Sequence, residues 1–253
     1  MSPRQKNRSI LVAAPRLLCA FLLFALSMFA LISELAMHML LSRMYHSLLR
    51  WLNDNYHYVQ WLKRDLADCE TILEIGCGSG SPLINIGYGQ KTDAIDVWQP
   101  YVDRHNKAGG YHECQLVDVL EFNFPEKAYD AIVMLDVLEH LPNDRINAID
   151  LFARMEKCAR KKVIIFSPNG YIPNDEVDGN SYQAHLSAWH SADFKKRGYK
   201  VLGGTGFKPF FGKASLPKSP QIVFYLLGML SQPLVYHFPS LAFHSYAVKE
   251  LEC

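Results

Sequence analysis

The stretch Thr71-Ile72-Leu73-Glu74-Ile75-Gly76-Cys77-Gly78-Ser79-Gly80-Ser81-Pro82 sets a carboxylate and three alternating glycines at the end of an apolar run. Glycines there let the main chain turn sharply and let a ligand lie against it, and a helix start just beyond offers free N–H groups to an electronegative ligand. That is the chemistry of a nucleotide-cofactor loop, with an ordinary strand-to-helix turn as the plainer alternative. Asp96 with Val97 beside it, Asp118 with Val119, and Asp136 each close a later apolar run. A strand-end carboxylate can accept both hydroxyls of a ribose; it can also cap a helix or form an Asx turn. Glu139 and His140 follow Asp136 closely. Farther on, Tyr182, Gln183, His185, Trp189 and His190 crowd a segment with few aliphatics. A neutral imidazole there can take a proton from a hydroxyl near pH 7, whereas the bland reading has His185 and Trp189 pinning a loop to the domain.

Periodicity supplies the elements that must hold these groups. Residues 72–75, 92–97, 114–120, 129–136 and 161–167 read as short buried strands, with helical patterns over 101–107 and 145–160. Strand and helix alternate, which predicts a parallel sheet with right-handed crossovers and a site along the strand C-termini. A sixth strand through Leu202 and a closing strand within 242–251 complete it. Apolar residues recur at helical spacing over 42–66, with a break expected at Asn53-Asp54-Asn55. Residues 222–230 are strongly apolar, and Pro233 is expected to end that helix short of a bilayer span.

Spacing discriminates the cofactor. A dinucleotide loop wants G-x-G-x-x-G, yet Gly80 comes one residue early and Ser81 takes the third glycine's place. The form E-x-G-x-G-x-G instead resembles the first motif of the class I S-adenosylmethionine-dependent methyltransferases. Tyr129-Asp130-Ala131-Ile132 through Asp136-Val137-Leu138-Glu139-His140-Leu141 resembles the fourth motif of their small-molecule branch, and Tyr182 to Trp189 resembles a Y-Q-x-H-x-S-x-W insertion that closes over the acceptor in a subset. The resemblance implies an α/β, Rossmann-like, seven-stranded, mostly parallel sheet with helices on both faces and the last strand antiparallel, preceded here by a hydrophobic N-terminal helix. It implies S-adenosylmethionine as cofactor, with Glu74, Gly76, Gly78 and Gly80 around its methionine and ribose, Asp96 and Val97 at the ribose, Asp118 and Val119 at the adenine, and Asp136 in the same wall. Glu139 and His140 fall beside the transferring methyl, His185 is the candidate base, and Tyr182, Gln183, Trp189 and His190 contact the acceptor. The expected activity is methyl transfer, O-methylation favoured, to a small-molecule, lipid-linked or cell-envelope acceptor. A protein methyltransferase, or a membrane-tethered binding protein that keeps the fold without catalysis, is the alternative.

Composition narrows the partners. A net charge of +1 lacks the basic excess of a nucleic-acid footprint. Six scattered cysteines form no C-x-x-C pair and no His cluster has metal spacing, so reduced thiols and no metal are expected. Arg4, Lys6 and Arg8 precede an apolar run over 17–32. At ~1.5 Å per residue that run is about 24 Å long, marginal against a ~30 Å hydrocarbon core. An anchor over 1–41, a packed or interfacial helix, and a cleaved signal all fit. The positive-inside rule would put the remainder outside the cell, where the cofactor is not found. A helix lying in the inner interface with Glu34 and His38 toward water removes the conflict, making the protein membrane-associated with its 42–253 catalytic domain facing the cytoplasm.

Overall fold

The computed structural model describes residues 37–175 and 179–252, in two units that meet in sequence between Trp51 and Leu52. In the first, residues 37–51 are helical and carry exposed Met39, Leu41, Met44, Leu48 and Trp51. The expected apolar helix over 17–32 lies outside the described residues; among those described, no helix is long and apolar enough to cross a membrane.

The second unit holds seven strands: β1 (Ile72–Ile75), β2 (Thr92–Asp96), β3 (Glu113–Leu116), β4 (Tyr129–Leu135), β5 (Ala159–Pro168), β6 (Lys200–Phe207) and β7 (Ala242–Glu250). They form one sheet in the order β3-β2-β1-β4-β5-β7-β6, with β7 antiparallel to both neighbours and the β1–β5 pairings parallel. The period of two divides each central strand between two cores. Leu73, Ile75, Ile132 and Met134 pack on one face with Phe152, Met155 and Phe194, while Ile72, Ala131 and Val133 pack on the other with Trp61, Leu62 and Leu66. Each fully buried aliphatic contributes about 1.5–3 kcal/mol, so a sheet covered on both faces is strongly favoured. Helices α1 (Tyr58–Asp65), α2 (Pro82–Asn85), α3 (Gln99–Ala108), α4 (Asn143–Ile149), α5 (Leu151–Cys158), α6 (Ser191–Lys196) and α7 (Gln221–His237) complete the unit. The chain winds outward from β1 to edge strand β3, then returns to lay β4 on the other side of β1. That reversal opens a crevice beyond the C-termini of β1 and β4, where the glycine loop and Asp136 emerge side by side.

Four details depart from the sequence expectations. The helix expected over 145–160 is two, because Asp150 adopts a left-handed conformation (φ 47°), ends α4, and caps α5 by accepting from the Ala153 N–H. Pro233 does not end α7, which runs for 17 residues through it. A proline removes one helical donor, and a helix packed along β6 tolerates that local loss. Residues 52–56 stay helical, and the break falls at His57, whose Nδ1 accepts from the Val59 N–H and caps α1. Strand β3 ends at Leu116, which leaves Asp118 in the following loop.

Candidate active site

The glycine loop is built against β4. Gly76 has φ 76°, and a Cβ there would stand 2.2 Å from Val137 Cγ2, so the residue's absence of a side chain is what lets the two strand ends close together. At Gly78 (φ 56°) and at Gly80 a Cβ would meet nothing within 4 Å, and both line a cleft of about 580 Å³. Glu74 lies at its base, 2 % exposed, accepting from Ser81 Oγ (2.7 and 2.8 Å) and Tyr111 OH (2.6 Å). Burial pushes its carboxyl up to about 7 against the lowering effect of those two hydroxyls. Asp96 accepts from the Gly78 N–H at 2.9 Å and, through its other oxygen, from the Trp98 N–H at 2.8 Å. It thereby ties the loop to β2; Oδ2 also receives the Cys77 thiol at 3.6 Å, a weak donor, and Oδ1 retains a second lone pair in the cleft wall that Asp96 lines with Val97. Asp118 makes the Asx-type contact, accepting from the Leu120 N–H at 2.9 Å, and stands 3.8 Å from Arg145 Nη2; Val119 lies beside it in the wall.

Beyond β4, Asp136 is a non-glycine residue at φ 51°, held there as its N–H donates to Phe166 O (2.8 Å). Glu139 is 3 % exposed, and Ser167 Oγ donates to its Oε2 at 3.0 Å. Burial, followed by the Asp136 charge, raises the Glu139 carboxyl well above its usual range. The segment after β5 is clamped onto this turn: the N–H groups of Leu186 and Ser187 donate to Glu139 O (2.8 and 2.9 Å), and Ser187 Oγ donates to Leu138 O (3.0 Å). The clamp sets the His185 ring 4.7 Å from that of His140 at an angle of 76°. His140 Nδ1 donates to Ala184 O (3.1 Å) and His185 Nδ1 to Ile172 O (2.6 Å). Burial lowers both imidazoles, so both are neutral near pH 7 with Nε2 bare.

Tyr182 and Gln183 line the cleft, the half-exposed Tyr182 ring 6.2 Å from Trp98. Glu139, His185, Trp189 and His190 do not; the first two stand behind His140. Trp189 packs in the core against Phe152 and donates to Ser187 Oγ at 2.9 Å, while His190 stands at the start of α6, its N–H donating to Asp193 Oδ2. Their part in the insertion is to fasten it, which is the bland reading of that segment for Trp189.

A second cavity of about 390 Å³ shares Tyr58 and Asp136 with the cleft and is lined chiefly by Phe166, Phe211 and Met229. At its end, His244 Nε2 is 3.4 Å from Asp136 Oδ1, and Nδ1 is 2.7 Å from Thr205 Oγ1. Sequence reading missed His244 and Thr205, which meet because β7 inserts between β5 and β6. It also missed the partners of Glu74; Ser81, adjoining the glycine loop, carried the one local signal.

A methyltransferase-domain family model matches residues 73–165, the segment that builds this cleft from β1 to β5. The chain carries a class I S-adenosylmethionine-dependent methyltransferase domain. No curated protein matches the sequence significantly. Solved structures similar to the domain include a SAM-dependent methyltransferase from Archaeoglobus fulgidus (15% identity, 79% of this chain and 97% of that one, TM-score 0.48). N-methyltransferase NodS from Bradyrhizobium japonicum WM9 (15%, 83% and 95%, 0.47) and magnesium protoporphyrin IX methyltransferase from Synechocystis PCC 6803 with bound SAM (15%, 81% and 79%, 0.46) are others.

The residues of the methyltransferase domain suit its cofactor. Gly78 and Gly80 leave a bare wall, Asp96 keeps acceptor capacity for ribose hydroxyls, and Asn180 Nδ2 is buried at the cleft with no hydrogen-bond partner among the described residues. A buried unpaired amide is costly, and a ligand acceptor satisfies it. The raised Glu74 carboxyl has a measurable consequence for stability. Between its ordinary pKa and about 7 the folded protein holds a proton that the unfolded chain has released, so this group's contribution to stability falls as pH rises through that window. Glu74→Gln lacks the titration. From pH 5 to pH 8, urea unfolding should show the variant gaining up to about 3 kcal/mol relative to wild type; a pH-independent difference would refute the raised carboxyl.

Proposed function

We propose that the domain O-methylates a small-molecule acceptor that carries an apolar, lipid-like portion. The observation behind this reading is the meeting of the two cavities at Asp136 and Tyr58, with His140 in the wall of the first and apolar rings around the second. Bound S-adenosylmethionine supplies a methyl group on a sulfonium. The chain's own residues then hold the donor in the cleft and seat the acceptor's apolar part in the second cavity, against Phe211, Tyr225 and Met229. Positioning of this kind, with water excluded, provides most of the acceleration for an in-line displacement. The neutral Nε2 of His140, whose ring lines the cleft, is available to receive the acceptor's proton, and His185, packed against that ring, would relay it. Helix α7 supports the lipid-like part: Tyr225 and Met229 line the second cavity, while Ile222, Val223, Leu227, Leu230 and Leu234 of the same helix face solvent.

The test is transfer of labelled methyl from S-adenosylmethionine to panels of hydroxylated acceptors, water-soluble and vesicle-borne. Label in a hydroxylated lipid is the expected result; label confined to amines or to protein would sink the reading. With that acceptor, His185→Ala should lower kcat by about 10²–10⁴-fold, the usual range for a general base, and leave cofactor affinity in calorimetry unchanged. Undiminished turnover removes His185 from the proton path.

A further inference from the structure

We propose that Glu139, His140 and His185 form a binding site for one divalent first-row transition ion, at the wall of the cleft where His140 is exposed to it. One ligand atom from each residue lies within 4.8 Å of the others. Each imidazole donates its Nδ1–H to a main-chain carbonyl, Ala184 O or Ile172 O. A carbonyl accepts only from a protonated nitrogen, so the tautomer is fixed and the lone pair is on Nε2 in both rings. A backbone carbonyl behind the ring is the arrangement that orients and strengthens a histidine ligand. The third member is a buried carboxylate whose Oε2 is already oriented by Ser167 Oγ at 3.0 Å.

Two imidazole acceptors and one carboxyl thus lie together, so the most the cluster holds by itself is the single proton of Glu139, and a cation that displaces this proton completes the arrangement. Ligand atoms about 2.1 Å from a common ion stand roughly 3–4 Å apart, so modest side-chain rotations close the set. The main chain bearing them is already fixed, the His140 N–H bonding to Val137 O (2.9 Å) and the His185 N–H to Asn174 O (3.2 Å). Two nitrogen ligands favour ions of the manganese-to-zinc series over magnesium or calcium, whose sites are made of oxygen. Three protein ligands leave positions for water or an acceptor oxygen, and in the loaded protein, where both Nε2 lone pairs are engaged, an ion would replace the imidazoles in the proton path by lowering the pKa of a bound acceptor hydroxyl, whose proton then passes to water. The role in polarising a hydroxyl rests on the proposed O-methylation; the binding of the ion does not.

The experiment titrates the chelator-stripped full-length protein with CoCl₂, reading visible absorption, and runs calorimetry with S-adenosylhomocysteine on the same sample. One equivalent of cobalt should bind, with visible bands of N/O ligation and without the sulfur-to-metal charge transfer that the buried thiols Cys77 and Cys114, 3.8 Å apart, would add. MgCl₂ should not displace it and ZnCl₂ should. His185→Ala and Glu139→Gln should each weaken binding by at least about 100-fold, whereas His112→Ala, at an exposed position, should not. The wild-type stoichiometry and spectrum need no variant to fold. Absence of stoichiometric binding would overturn the site and leave a proton on Glu139 as the partner of the two rings. Thiolate bands, or cobalt binding unaffected in a folded His185→Ala, would overturn it equally. Loss of homocysteine-product binding with cobalt binding intact would instead count against the donor cleft.

Discussion

Asp96→Ala should raise the dissociation constant for S-adenosylhomocysteine by about 100- to 1,000-fold. Hydrogen bonds to a charged acceptor contribute about 1.5–3 kcal/mol each, and a carboxylate receiving two ribose hydroxyls makes two of them. At ~1.4 kcal/mol per decade the loss spans two to three decades or more. A second effect acts in the same direction. The carboxylate also receives the N–H groups of Gly78 and Trp98, so its removal frees the glycine loop from β2 and leaves two donors without their partner. Asp96→Asn preserves size and part of the accepting capacity and should fall between wild type and alanine. Titration calorimetry decides the matter: affinity unchanged in a folded Asp96→Ala protein rejects the assignment of this cleft wall to the ribose.

Gly76→Ala should destabilise the domain by about 2–4 kcal/mol. Part of that comes from placing an L side chain at φ 76°, which costs roughly 1–2 kcal/mol. The rest comes from the new Cβ, whose position 2.2 Å from Val137 Cγ2 forces the β1 and β4 ends apart in a packed region, with a typical overpacking cost of about 1–3 kcal/mol. The two contributions separate in a double-mutant cycle. Val137→Ala made together with Gly76→Ala should restore the overpacking share and leave the conformational share, giving a coupling of about 1 kcal/mol or more in urea unfolding. Strict additivity of the two substitutions would show that the strand ends do not touch in solution. Gly78→Ala provides the contrast: with open space around its Cβ it should cost little beyond the backbone strain, yet weaken the cofactor by standing in the cleft.

Much of the architecture was legible because it rests on local regularities. Short apolar runs and their alternation with helices sufficed for the parallel sheet, and the closing strand is antiparallel as expected. That Glu74, Gly76, Gly78, Asp96 and Asp118 line one cleft was legible for the same reason, since each lies at or just beyond the C-terminal part of a strand and those ends converge on one edge. Pro233 misled because a residue's intrinsic preference yields to packing along β6. Asp150 broke its helix unannounced, for a left-handed aspartate looks like any other helix-compatible position in the sequence.

The chain's sequence alone determined the order of its strands' appearance, the glycine turn and the carboxylates at the strand ends, because each depends on neighbours a few residues away. Only the tertiary structure decided what surrounds the far side of Asp136. His185 reaches His140 and Glu139 through backbone bonds from Leu186 and Ser187, and His244 reaches Asp136 because β7 enters between β5 and β6. Such meetings carry no spacing signal, since the residues that make them are brought together by the closure of the sheet and by no local period.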